Sequence, residues 1–143
     1  MDKIKECYKK VIVGGEGGVG RTTLLRRYIE GKFFADTPMT IGIQFFAKTI
    51  IIEERKVNFV FWDFAGQERQ RETIKLFVKG ADAAILSFDL TRPMTLENLE
   101  EWVNIFRMYN PYLPILFVGT KIDLESSIMV DDNYALQFKD KFK

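Results

Sequence analysis

The stretch GGEGGVGRTT, Gly14 to Thr23, sits between a short apolar run and a helical pattern, and that placement constrains the chain more than any other feature. Tyr8 to Val13 (YKKVIV) reads as a buried strand running straight into the glycines. Arg21 to Glu30 follows as a helix with Leu24, Leu25, Tyr28 and Ile29 along one stripe and Gly31 as its stop. A strand that turns on glycines directly into a helix is a phosphate cradle by spacing: Gly15, Gly20, Arg21 and Thr22 occupy the pattern, with arginine where lysine is usual. Backbone N–H groups of Gly15, Glu16, Gly17, Gly18, Val19 and Gly20 can turn inward on phosphate oxygens, the helix dipole adds to them, and Thr22 can offer its hydroxyl to magnesium. The plainer alternative is a glycine-rich strand-to-helix turn that holds nothing.

The remaining pattern alternates strands with helices around one hairpin. Ile41 to Ile52 and Val57 to Trp62 are β-branched and aromatic runs about the polar turn Glu53-Glu54-Arg55-Lys56. Lys32 to Thr40 and Asp63 to Arg69 read as loops, and Gln70 to Lys79 as a short helix. Ala83 to Phe88 is a continuous apolar strand, and Thr95 caps a helix over Leu96 to Tyr109 with Leu96, Leu99, Val103 and Phe106 on its inner face. Ile115 to Val118 is another strand, and a helix starting near Asp131 carries Tyr134, Leu136 and Phe138. This order predicts an α/β fold with a mostly parallel sheet and one antiparallel hairpin, whose ligand lies at the carboxyl ends of the strands.

At 143 residues, 47% of them apolar and 29% charged, the chain is long enough to bury a core as one domain, spanning 1–143. A formal charge of +1 with interspersed signs argues against a nucleic-acid interface. The single Cys7 forbids an intrachain disulfide, and the absence of histidine removes any imidazole base or ligand. MDKIKECYKK lacks the apolar stretch of a signal peptide and no run spans a bilayer, so a cytoplasmic location is expected. Neither a myristoylation glycine nor a C-terminal prenylation cysteine is present, so no lipid anchor is expected.

Two further loops follow buried strands. In WDFAGQE, Trp62 to Glu68, Asp63 suits the surroundings of a magnesium ion, the Gly66 amide can face a γ-phosphate, and Gln67 can orient an attacking water. In GTKID, Gly119 to Asp123, Asp123 can accept from N1–H and the exocyclic amine of guanine, a pairing that adenine cannot match. Lys121 would lie along the base plane beside Thr120. Each motif alone also reads as an ordinary turn after a strand. Together and in this order, from about Tyr8 onward, they make the chain resemble the Ras superfamily of small GTPases: TIGIQFF with WDFAGQE is most like its Rab branch.

That resemblance implies a P-loop G domain binding GTP or GDP with Mg²⁺ and hydrolysing GTP slowly without a partner. It puts Phe33 against the guanine and Thr40 on magnesium and the γ-phosphate, so that Thr22, Thr40 and Asp63 form the metal set. Gln67, Arg21, Thr40 and Gly66 are the implied catalytic residues, with Thr23 completing the phosphate loop and Gly17 leaving room for an arginine from an activating protein. Effectors, an exchange factor and such an activating protein are the implied partners. The alternative is a pseudo-GTPase scaffold that holds nucleotide without turnover, and Arg21 in place of lysine favours it.

The family also continues with a base-contacting SAK-type turn, a last strand and a last helix, which this sequence lacks after Asp123. A C-terminally truncated G domain is therefore expected, with Ile115 to Val118 at an uncapped sheet edge. That edge predicts a homodimer, a swapped element or a partner covering the face; a truncated gene product is the plainer explanation.

Overall fold

The computed structural model describes residues 5–31, 42–66 and 70–142. The predicted alternation is present: β1 (Lys5–Gly14), α1 (Arg21–Glu30), β2 (Ile43–Ile52), β3 (Arg55–Phe64), α2 (Arg71–Ile74), β4 (Ala83–Asp89), α3 (Pro93–Glu97), α4 (Leu99–Phe106), β5 (Ile115–Thr120) and α5 (Asp132–Asp140). The strands form one sheet in the order β2-β3-β1-β4-β5. Only β2 runs antiparallel to its neighbour, β3; the pairs β1–β3, β1–β4 and β4–β5 are parallel. The hairpin closes tightly because Glu53 and Glu54 take left-handed φ values of 48° and 64°, the twist a two-residue turn needs.

Apolar side chains divide between the two faces of the sheet. On one, Ile12, Phe64, Leu86 and Phe88 pack under Leu96, Leu99, Trp102, Val103 and Phe106, so the predicted inner face is buried throughout. On the other, Val11, Val13 and Phe61 pack against Leu25 of α1. The α1 stripe is narrower than its sequence suggests: Leu24 and Tyr28 are exposed, because α1 covers only the middle of that face. Beside it, Tyr28, Ile50, Phe59, Ile85 and Leu116 line an open apolar groove of about 390 Å³. Within α5, Phe138 is buried and Tyr134 half-buried while Leu136 is exposed.

Several boundaries differ from the sequence reading, three of them near the site. The helix expected over Leu96 to Tyr109 begins at Pro93 and is interrupted at Asn98, and Thr95 lies within it rather than capping it. Thr95 instead receives the Asp89 amide on its hydroxyl at 2.8 Å and donates that hydroxyl to Arg92 O at 2.7 Å, which fixes the β4–α3 turn. The helix expected over Gln70 to Lys79 is confined to Arg71–Ile74; beyond it the backbone tightens, with Leu76 N–H on Thr73 O at 3.1 Å and Phe77 N–H on Ile74 O at 2.9 Å, and Lys10 Nζ donates to the carbonyls of Phe77 and Lys79 at 2.6 and 2.9 Å. Finally, β3 extends through Asp63 and Phe64, which were expected in the loop.

One contact at the end of β1 sets the depth of the phosphate loop. A Cβ on Gly14 would lie 2.5 Å from Cε3 and 2.7 Å from Cζ3 of the buried Trp102 ring. Gly14→Ala is therefore expected to lower unfolding stability by about 1–3 kcal/mol through overpacking. Urea unfolding measures it, and a variant as stable as the native chain would contradict this packing.

Candidate functional site

The site begins where β1 ends. Gly18 and Gly20 have φ values of 78° and 91°, which L side chains avoid, and they curl the backbone from β1 into α1. Gly20 is the N-cap residue, so no side-chain oxygen competes for the first-turn amides of α1. Thr22 and Thr23 stand in that first turn, Thr22 buried and Thr23 half-buried. Val19 is fully buried and anchors the curl.

Arg21 lies beneath this loop, 4% exposed. Its Nε donates to Phe64 O at 2.7 Å and lies 3.0 Å from Asp63 Oδ1, while Nη1 donates to Glu16 O at 3.0 Å. Asp63 is wholly buried and also accepts from the Thr22 hydroxyl. Burial pulls the Arg21 pKa below its usual value, and the Asp63 carboxylate opposes that pull; the guanidinium stays protonated because its reference value is so high. The structure thus joins Arg21, Thr22 and Asp63, three predicted site residues, in one buried cluster. The Arg21–Asp63 pairing was not among the expectations.

Gly66 closes the cluster from above. A Cβ there would lie 2.6 Å from Gly15 O, 2.5 Å from the Glu16 carbonyl carbon and closer still to Gly17 N. The second loop therefore rests directly on the glycine loop, with Gly66 against the backbone of Gly15 to Gly17. Thr40, Phe33 and Gln67 lie outside the described residues.

At the carboxyl end of β5, Thr120 donates its hydroxyl to Val19 O at 2.6 Å and shares it with Phe88 O at 3.0 Å, tying the third motif to the phosphate loop. Lys121 adopts φ 67°, a left-handed conformation that costs a non-glycine residue about 1–2 kcal/mol. Its Nζ lies 2.8 Å from Asp89 Oδ2, an ion pair that offsets the strain. Asp123 is exposed, at the turn closed by Leu124 N–H on Lys121 O at 3.0 Å.

Asp89, Arg92 and Asn98 were not singled out in the sequence. Asp89 is buried and accepts from Thr91 N at 2.8 Å, Thr91 Oγ1 at 2.6 Å and Arg92 Nε at 3.0 Å, besides Lys121. Burial alone would raise its pKa, but Lys121, Thr91 and Arg92 outweigh that and hold it below the usual carboxylate range. Arg92 Nη2 reaches Gly17 O at 3.3 Å, and Asn98 Nδ2 donates to the Glu16 carboxylate. The available signal was Asp89 itself, a carboxylate ending a continuous apolar strand just as Asp63 does.

The donor set suits a phosphate ester with a hard divalent cation. Glycines shape the loop, Thr22 and Asp63 offer adjacent oxygens, and Lys121 and Arg21 supply positive charge. Among the described residues no group of three or more His, Cys, Asp or Glu could hold a metal ion.

A P-loop α/β domain is the class that this sheet, its glycine loop and the turn after β5 define. The Ras family profile matches residues 10–143, and the chain belongs to that family. It is 34% identical over 133 residues to Ras-related protein RABA1c of Arabidopsis thaliana, covering 92% of this chain and 62% of that protein. It is 35% identical over 138 residues to the Ypt/Rab-type GTPase Rab7 of Gibberella zeae, covering 93% and 67%. It is 38% identical over 130 residues to Ras-related protein Rab-7b of Bos taurus, covering 87% and 64%. The chain thus spans between 62% and 67% of the length of these relatives.

The Asp89 hub yields a pH-dependent prediction. A carboxylate with a lowered folded-state pKa stabilises the fold above its unfolded value, near pH 4, and loses that contribution as the pH falls toward its native value. Asp89→Asn is expected to cost about 2 kcal/mol at pH 7, and the gap to native should narrow below about pH 4. Urea unfolding across that range checks it; a gap independent of pH would contradict the charge-based account.

Proposed function

We propose that residues 1–143 act as a single G-domain unit, a guanine-nucleotide switch that binds GTP and GDP with Mg²⁺ and converts GTP to GDP slowly without a partner. The observation that carries this reading is the Thr120–Val19 bond, which joins a base-side turn carrying Lys121 and Asp123 to a glycine cradle. A domain that reads base and phosphates together needs such a tie. In this reading Gly15, Glu16, Gly17, Gly18, Val19, Gly20, Arg21, Thr22 and Thr23 hold the phosphates. Phe33, Thr120, Lys121 and Asp123 hold the base.

Thr22, Thr40 and Asp63 would hold the cation, which supplies electrostatic neutralisation of the phosphate oxygens when bound. Gln67 orients the attacking water, and the amide of Gly66 and the guanidinium of Arg21 stabilise charge that develops on the transferred phosphoryl group. Thr40 and Gly66 respond to the third phosphate, so the two loops carry the switch. Gly66 resting on Gly15–Gly17 supports this, since a phosphate arriving beside Gly17 must move the second loop.

A second reading, nucleotide held without turnover, draws on one observation: Arg21 already bonds Asp63, Phe64 O and Glu16 O. A guanidinium so occupied is less free to follow charge onto the γ-phosphate.

Effectors, an exchange factor and an activating protein are the proposed partners. A contiguous surface of aromatic rings supports a docking role: exposed Phe45 lies 4.8 Å from Trp62, which lies 6.3 Å from Phe77, with exposed Leu76 adjacent in sequence. A homodimer or a covering partner on the open groove beside α1, a cytoplasmic site of action and no nucleic-acid partner complete this reading. Among the described residues, no helix is long and apolar enough to cross a membrane.

Denaturing freshly purified protein and separating the released nucleotide by ion exchange tests the reading. Near-stoichiometric guanine nucleotide is expected, recovered as GDP after loading with GTP and incubation. GTP recovered intact would favour the non-hydrolysing reading, and an adenine nucleotide, or no binding of added GDP, would overturn both.

A further inference from the structure

We propose that Arg21 takes over part of the work of the divalent cation, so that this chain retains guanine nucleotide with only weak dependence on Mg²⁺. The inference rests on the nucleotide-switch reading above and concerns how the same site balances its charge.

Asp63 is fully buried, and a buried carboxylate needs compensation close at hand. In this chain the guanidinium supplies it at contact distance, 3.0 Å from Nε to Oδ1, while the second oxygen takes the Thr22 hydroxyl. A cation placed at Thr22 would draw on the same carboxylate. Its attraction to Asp63 is diminished by the positive charge already paired there, and Arg21 repels it directly. The site therefore binds the cation less tightly than one in which Asp63 faces it undivided.

The phosphates lose less than the cation does. Arg21 is anchored by Nε on Phe64 O and by Nη1 on Glu16 O, within the loop that cradles them. A guanidinium carries five N–H donors on a rigid plane, so bonds to protein carbonyls still leave donors for an anion. A lysine ammonium at the same position is a compact point charge with three donors. It cannot pair Asp63, satisfy these carbonyls and face a phosphate all at once. On this argument the arginine serves as a fixed cation: it pairs Asp63 from within the protein and keeps positive charge on the phosphate loop when no metal is present.

The test uses the native chain and Arg21→Lys, each loaded with a fluorescent GDP analogue and chased with excess unlabelled GDP, in Mg²⁺ or in EDTA. Native protein is expected to release the analogue less than about tenfold faster in EDTA than in Mg²⁺, and Arg21→Lys to show a ratio larger by about tenfold or more. Mn²⁺ titrated into each GDP complex and followed by electron paramagnetic resonance is expected to bind the lysine variant more tightly. Equal EDTA ratios with equal Mn²⁺ affinity would overturn the role of Arg21 while leaving nucleotide binding intact. Should Arg21→Lys fail to fold, the native ratio decides alone, and a value far above tenfold overturns the inference. Failure of both proteins to bind the analogue would overturn the switch reading, and this inference with it.

Discussion

The contact between Arg21 and Asp63 is the one on which the site depends. Both side chains are sealed from solvent, 4% and 0% exposed, so neither charge has water to fall back on. Removing one partner from such a pair typically costs about 3–5 kcal/mol, because it strands the other in a low-dielectric interior. The pair also spans the two segments that matter most: Arg21 opens α1 below the glycine loop, and Asp63 stands near the end of β3. With Arg21 Nε on Phe64 O and Nη1 on Glu16 O, one guanidinium fixes the loop, the helix start and the exit of the strand together. Gly66 can then lie on the loop backbone, since its path leaves β3 at a fixed point.

A second charge cluster plays the matching part at the ends of β4 and β5. Asp89 ends β4 as Asp63 nears the end of β3, on the same edge of a parallel sheet. It gathers Lys121 from the β5 exit and Arg92 from the turn before α3, and Arg92 reaches on to Gly17 O. Thr120 and Asn98 add direct links to Val19 and Glu16. The glycine loop is thus tied by hydrogen bonds to the exits of β3, β4 and β5, in addition to the burial of Val19.

The fold was legible because strand and helix periods are explicit. VIVGGEGG announces a strand that turns on glycine, AAILSF a parallel strand, and Leu96, Leu99, Val103 and Phe106 a helical inner face, and each is found so, although Ala83 and Ile85 are only half-buried beside the open groove. What misled were side chains acting across the fold. Thr95 has the chemistry of a helix cap, but its hydroxyl serves the Asp89 turn, and Lys10, distant in sequence, holds the carbonyls of Phe77 and Lys79 in the segment after α2. The glycine loop and the two later motifs could be read from spacing, and Asp89 from its place at the end of an apolar strand, whereas the contacts of Asp89, Arg92 and Asn98 could not. Their partners are set by strand order, which brings β4 beside β1, and no local pattern records that neighbour. The Arg21–Asp63 pairing needed the reach of the arginine as well as the register of β1 on β3.

The most direct test of the central claim is the ¹H–¹⁵N resonance of Arg21 Nε, assigned by comparison with Arg21→Lys and followed as GDP is added. A guanidinium buried between Phe64 O and Asp63 beneath a nucleotide cradle should give a resolved Nε–H signal that exchanges slowly with water and shifts on adding GDP but not ADP. A rapidly exchanging signal at the position of solvent-exposed arginines, unmoved by GDP, would contradict the account.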